Sequence, residues 1–435
     1  MAGGIGIGDA SDRSLAVKRH APLPWEEQPT ALHMATIALL GTMDTKGDEH
    51  AFVAVEIRGR GHTTIVIDVG TDQAARLKPD ISRQEVARIA GLDLAALVAR
   101  HDRGECVAAM ANAAAIVLAK LQGEGKIDGV ISLGGGGGTA IATAGMRALP
   151  LGFPKLMVST LASGNTAQYV GVKDIVMFPA IVDVAGINRI SRTILTRAAG
   201  AICGMAEAKV TAGSDAPIIV ASMFGNTTDC VQKAKTLCEA AGFEVLVFHA
   251  TGTGGRAMES LIESGMAAGV LDITTTERAD ELIGGILGAG PTRLDAAAKT
   301  GTPAIVAPGC LDMVNFGPRE TVPGKFAARR FYQHNPQVTL MRTTPEECAA
   351  LGRILAEKVN AYRGPVTVLL PLRAISIISA PGGAFHWPEA DAALFGAIKN
   401  HLCPGIPLIE VDAAINDPVF AEACANTLLA SIAKR

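Results

Sequence analysis

From Ala35 onward, apolar runs of strand length alternate with helix-length segments, and glycine marks most junctions between them. Ala35–Leu40, Thr63–Val69, Gly129–Leu133 and Pro154–Ser159 read as strands, and residues 46–58, 82–100, 104–122 and 139–149 as helices. Strands that are apolar almost throughout need cover on both faces, and intervening helices supply it. The pattern predicts an α/β fold of mainly parallel sheets with helices on both faces. The second half opens in the same order: strand Pro217–Ala221, the polar turn Gly225-Asn226-Thr227-Thr228, helix Asp229–Ala241, a stop at Gly242 and strand Val245–His249. This repetition predicts two doubly wound α/β subdomains, 35–212 and 213–435, joined at the small polar stretch AGSDAP. Residues 1–34 mix Gly, Pro and charge without a packing period and read as a flexible N-terminal arm.

A chain of 435 residues is too long for one ordinary core, and 49% hydrophobic with 19% charged residues excludes disorder. A net charge of −3, only 4% aromatic residues and no Lys/Arg-rich stripe argue against a nucleic-acid partner. The eight cysteines form no CxxC and no zinc-finger spacing with histidine, so they read as reduced, mostly buried thiols of a cytoplasmic protein without a metal site. No apolar run approaches the ~18 residues of a spanning helix. The N-terminus carries no signal pattern, and no membrane association is expected.

Five consecutive glycines, Gly134, Gly135, Gly136, Gly137 and Gly138, follow a buried strand and precede Thr139 and a helix. Such a run serves unusual backbone angles or close approach to a ligand. At a helix N-terminus, free amides and the positive dipole end favour a phosphate or carboxylate. No Walker lysine follows, and a tight turn with a flexible lip is the alternative. Gly252, Thr253, Gly254 and Gly255 repeat the theme after a second strand, and Arg256 adds a cation able to grip an anion; an ordinary turn with a surface arginine is the alternative there. Ser163, Gly164 and Asn165 follow the 154–159 strand, and Thr227 lies in a turn that can bind ligand or simply cap a helix. Thr42, Asp44 and Lys46 end the first strand and can hold a ribose, a metal or a phosphate, although Asp44 and Asp48 equally suit a first helical turn. Asp44, Lys46, Asp312 and His386 are the catalytic candidates; Cys310 has no activating base in view.

Together GTMDTKGDE, SLGGGGGT, TLASGN, VDVAGINRIS, HATGTGGRAME and APGCLDMVNFGP resemble the Tm-1-like ATP-binding family, also catalogued as UPF0261, over about residues 35–430. The resemblance implies two Rossmann-like subdomains, a homodimer and ATP as ligand, with Mg2+ should a phosphoryl group be transferred. Asp44, Asp174 or Asp312 would then supply the magnesium carboxylate. The expectation is ATP or another phosphorylated small molecule in a cleft between the subdomains, gripped by both 134–139 and 252–256. Two functions follow: a metabolic enzyme acting on ATP or on a phosphorylated or carboxylate metabolite, and a nucleotide-responsive protein-binding module without turnover.

Overall fold

The computed structural model describes residues 34–209 and 216–434. The expected arm, apart from Met34, and the expected boundary at 212–213 lie outside the described residues. The first half runs β1 (Thr36–Gly41), α1 (Gly47–Arg58), β2 (Thr63–Asp68), α2 (Arg83–Ala90), α3 (Leu94–Ala99), α4 (Arg103–Gly123), β3 (Gly129–Gly134), α5 (Gly136–Arg147), β4 (Lys155–Ser159), α6 (Ala167–Val170), β5 (Val176–Pro179) and α7 (Arg189–Glu207). Its strands form one parallel sheet in the order β2-β1-β3-β4-β5.

The second half begins β6 (Ile218–Met223), α8 (Thr228–Ala240), β7 (Glu244–His249), α9 (Thr253–Glu263), β8 (Ala267–Thr274), α10 (Glu277–Ile283), α11 (Ala296–Thr300) and β9 (Ala304–Gly309). It continues β10 (Met313–Phe316), β11 (Phe331–Asn335), β12 (Val338–Arg342), α12 (Pro345–Asn360), β13 (Val366–Pro371), α13 (Pro388–His401), β14 (Leu408–Val411) and α14 (Pro418–Ile432). A parallel sheet has the order β14-β13-β9-β8-β6-β7, and β10, β12 and β11 form a small antiparallel sheet.

Both parallel sheets are wound alike: β1 lies between β2 and β3, and β6 lies between β7 and β8. Alternate residues of each strand enter opposite cores. Ile37 and Leu39 pack with Val53, Ile57, Leu195 and Ile202 under α1 and α7, whereas Ala38 and Leu40 pack with Met110, Val117 and Ile141 under α4 and α5. In the second sheet Val220 and Val270 join Met258 and Leu355, while Ile219 and Leu271 join Val231 and Phe420. Helices thus cover both faces, which is why these strands are apolar at successive positions.

Three sequence expectations change. The helix expected over 82–100 is two helices, because Gly91 closes α2 at φ +69 and the Asp93 side chain caps α3. The glycine runs are not simple loops: α5 starts at Gly136 and α9 at Thr253, so Gly136–Gly138 form the first turn of α5. Finally, α4 is long and apolar enough by length and composition to cross a membrane. Its Met110, Ala114, Val117 and Leu121 are buried in the first sheet's core, which accounts for that composition. Seven of the cysteines are buried and Cys403 is exposed.

Candidate functional site

In a sheet wound in this order, the connections after β1 and β3 leave to opposite sides and open a crevice above the strands' carboxyl ends. The N-terminus of α5 opens onto this crevice. Gly135 occupies its N-cap position, and no side chain caps the helix. None of Gly134–Gly138 has a positive φ, so the run does not serve unusual backbone angles. It serves space: a Cβ on Gly136 would have nothing within 4 Å, and one on Gly134 would meet the Gly138 Cα at 3.1 Å. The first-turn amides are therefore left unobstructed.

Arg103, the first residue of α4, stands beside this turn. Its Nη2 lies 3.8 Å from the place a Gly137 Cβ would take. The side chain is exposed and has no hydrogen-bond or ion-pair partner among the described residues. A guanidinium at the positive end of its own helix and next to that of α5 is unfavourable alone, and an anion between them relieves it. The sequence reading missed Arg103 by starting the helix at 104. The available signal was a cation in a first helical turn, where acidic residues are favoured.

The other expected residues of this half are largely committed to the fold. Thr139 is fully buried, and its Oγ1 is 2.7 Å from Ser159 Oγ, tying α5 to β4 instead of facing a ligand. Thr42 Oγ1 bonds Thr45 Oγ1 at 2.8 Å, and Lys46 Nζ donates to the Val184 carbonyl. Asp44 is buried; its Oδ2 accepts from the Asp72 amide at 3.0 Å and lies 3.4 Å from Arg83 Nη1, while its Oδ1 has no partner among the described residues. Ser163, Gly164 and Asn165 are exposed after β4, with Asn165 Oδ1 accepting from the Ala167 amide at 3.1 Å. Asp174 is 2.7 Å from Lys155 Nζ. Because Lys155 is the first residue of β4, this pair sits at the opposite edge of the sheet from the glycine turn.

In the second half the anion loop is filled from within. The Gly252 and Gly255 amides donate to Glu277 Oε1 at 2.7 and 3.0 Å. Glu277 is fully buried, and its Oε2 accepts from Arg293 Nε at 2.7 Å. Arg293 also grips both oxygens of Asp272, at 2.6 and 2.5 Å, and Glu259 at 3.1 Å. The loop does hold an anion, but it is a carboxylate of this chain. Arg256 is exposed, with Nη2 3.4 Å from Thr253 Oγ1. Thr227 is fully buried, bonding Thr274 Oγ1 at 2.7 Å, and Asn416 caps the neighbouring turn through the Asn226 carbonyl and the Cys230 amide. The crevice between β6 and β8 is thus packed with the chain's own polar groups.

Asp312 is fully buried, accepts from Ser376 Oγ at 2.7 Å through Oδ2, and leaves Oδ1 without a partner among the described residues; burial pushes its carboxyl up to about 6. His386 is half-buried with Nδ1 3.1 Å from the Ser379 carbonyl. Cys310 is fully buried, and burial raises its thiol well above the ordinary range, which leaves no thiolate for nucleophilic chemistry. Among the described residues no three His, Cys, Asp or Glu side chains group to hold a metal ion. Of the three carboxylates expected as alternatives for a magnesium ion, Asp44 pairs with Arg83, Asp174 with Lys155 and Asp312 with Ser376.

Residues 35–211 match the N-terminal domain and residues 216–432 the C-terminal domain of the uncharacterised protein family UPF0261. A UPF0261 protein of Clostridium tetani is 49% identical over 90% of this chain and 98% of its own length. The ToMV susceptible protein tm-1(GCR26) of Solanum lycopersicum is 38% identical over 90% of this chain, which spans 55% of the tomato protein. Among solved structures, a UDP-N-acetylglucosamine 2-epimerase from Rickettsia bellii aligns at 13% identity and a TM-score of 0.22, covering 63% of this chain and 79% of that one. With both of its domains matched, the chain belongs to the UPF0261 family, to which the tomato Tm-1 proteins are also similar.

Proposed function

We propose that the crevice above β1 and β3 binds the phosphate group of a phosphorylated small molecule, with a nucleotide such as ATP as the ligand. The observation that carries this reading is the uncapped glycine turn of α5 with the unpartnered Arg103 guanidinium beside it. Amides of Gly136–Gly138 donate to phosphate oxygens along the helix axis, and Arg103 closes the site with a fork of two further donors. The glycines keep the approach clear of long or charged side chains. The reading is one of binding. Phosphoryl transfer also needs a carboxylate that holds a metal beside the phosphate, and Asp44, Asp174 and Asp312 each carry a hydrogen bond or ion pair within the fold.

Calorimetric titration of ATP into the wild type and Arg103→Ala tests it. Loss of a charge-assisted contact is expected to weaken binding by about tenfold or more. A folded Arg103→Ala protein with wild-type affinity would refute the placement.

A further inference from the structure

A second feature of the first sheet lies at the carboxyl end of β2. There a cleft of about 640 Å³ opens between the segment after β2 and helix α3. Asp68, Thr71, Ser82 and Arg83 line its polar side, and Leu94 and Val98 line the wall formed by α3. Arg83 is 8% exposed. Its Nε donates to Asp68 Oδ2 at 2.7 Å and its Nη1 to the Gln73 carbonyl at 2.8 Å, but its Nη2 has no partner among the described residues. Asp44, in contact with the same guanidinium, keeps an unpartnered Oδ1. A buried donor and a buried acceptor are therefore both unsatisfied within one ion-pair cluster, a costly state without a ligand or water to complete it.

The chemistry of the cleft selects its occupant. Arg83 faces two carboxylates, Asp44 and Asp68, so the cluster carries excess negative charge and disfavours a second anion. A hydroxyl both donates and accepts, which suits the Arg83 guanidinium and the Thr71 and Ser82 hydroxyls that line the cleft. Leu94 and Val98 give an apolar wall for the carbon face of a ring. Position matters as well. Strands β2 and β3 flank β1, so the strand ends from which the cleft and the α5 turn open are two strand spacings apart, roughly 9.5 Å. That separation suits one molecule with a sugar at one end and phosphate at the other.

We infer that this cleft holds the sugar of the ligand whose phosphate sits at α5, and that it recognises a free vicinal diol, as in a ribonucleotide. The inference rests on the phosphate reading above but uses different residues. The test is calorimetry on the full chain with ATP and with 2′,3′-dideoxy-ATP. The wild type should prefer ATP by at least about tenfold, since a site built to bond hydroxyls rejects the analogue lacking them. Ala95 is exposed and lines the cleft from α3, so Ala95→Trp fills it without disturbing a core. That variant should lose at least about tenfold in ATP affinity and lose the preference over the dideoxy analogue. Arg103→Ala should weaken both nucleotides alike and retain the preference. Equal binding of the two nucleotides by the wild type, or undiminished ATP affinity in Ala95→Trp, overturns the sugar assignment alone. Undiminished affinity in Arg103→Ala, with the diol preference intact, overturns the phosphate assignment alone. Failure of the wild type to bind either ATP or ribose 5-phosphate overturns both.

Discussion

Gly255 has no side chain because Glu277 occupies the space one would need: a Cβ there would fall inside the van der Waals radius of the Glu277 carboxylate. The same carboxylate oxygen that accepts the Gly255 amide also accepts that of Gly252, and its twin is held by Arg293. Gly255→Ala should displace Glu277 and leave charges of this buried cluster unpaired. Breaking such a network costs about 3–5 kcal/mol. Urea denaturation should show a clearly lowered midpoint; a midpoint equal to that of the wild type would contradict this account of the glycine.

The same geometry reverses an expectation drawn from the sequence, that 134–139 and 252–256 jointly grip one ligand. With Glu277 on its amides, the second loop has no free donors at Gly252 or Gly255 for a phosphate. Arg256 is exposed, with Nη2 3.4 Å from Thr253 Oγ1. Arg256→Ala should therefore bind ATP as the wild type does. A loss of tenfold or more, about 1.4 kcal/mol, would restore the bridging arrangement.

What was legible in the sequence follows from what local chemistry can encode. Ile37, Ala38, Leu39 and Leu40 face two cores in alternation, so the strand announces itself as one apolar run. Five glycines between strand and helix announce an unusual helix entrance. The occupancy of each entrance was not legible. Glu277 fills one because Arg293, sixteen residues further on, fixes it there from the interior, and no spacing rule predicts that contact. Arg103 reaches the other because α4 packs along α5, which is a property of the folded helix pair. Asp44 looked like a ligand-binding carboxylate, yet the turn after β1 directs it toward Arg83 and the Asp72 amide.

Two buried carboxyls give the protein a characteristic pH response. Burial raises Asp280 to about 7 and Asp312 to about 6. In the unfolded chain both titrate near 3.9. Between about pH 4 and pH 7 the native state holds protons that the unfolded state has released, so these groups stabilise the fold at low pH and lose that contribution as pH rises through their folded values. Asp312→Asn keeps an acceptor for Ser376 and cannot ionise. The wild type should lose stability relative to this variant as pH rises from about 4.5 to 7.5, by up to about 3 kcal/mol. Urea titrations of both proteins across that range check it, and a constant difference between them would remove Asp312 as the titrating group.

Gly136 separates the needs of the fold from those of the ligand. It is the first residue of α5, has no positive φ, and a Cβ there would meet nothing within 4 Å. Nothing in the folded protein requires glycine at that place. Gly136→Ala should raise stability by roughly 0.5–1 kcal/mol, because it removes backbone freedom from the unfolded chain. Gly136→Asp should also be stabilising, since a carboxylate in the first turn complements the helix dipole by a further 0.3–1 kcal/mol or so. That same carboxylate lies where the ligand phosphate belongs and repels it, with an effect of about 1–4 kcal/mol at 4 Å depending on how much water remains. The expected signature is therefore opposed changes in one variant: a higher unfolding midpoint and a weaker affinity for ATP, with Gly136→Ala changing affinity far less than Gly136→Asp. Thermal melts without ligand and calorimetry with ATP measure the two effects independently. If Gly136→Asp is stabilised but binds ATP as tightly as Gly136→Ala, the phosphate lies elsewhere, and the glycine turn is only a helix entrance left without a cap.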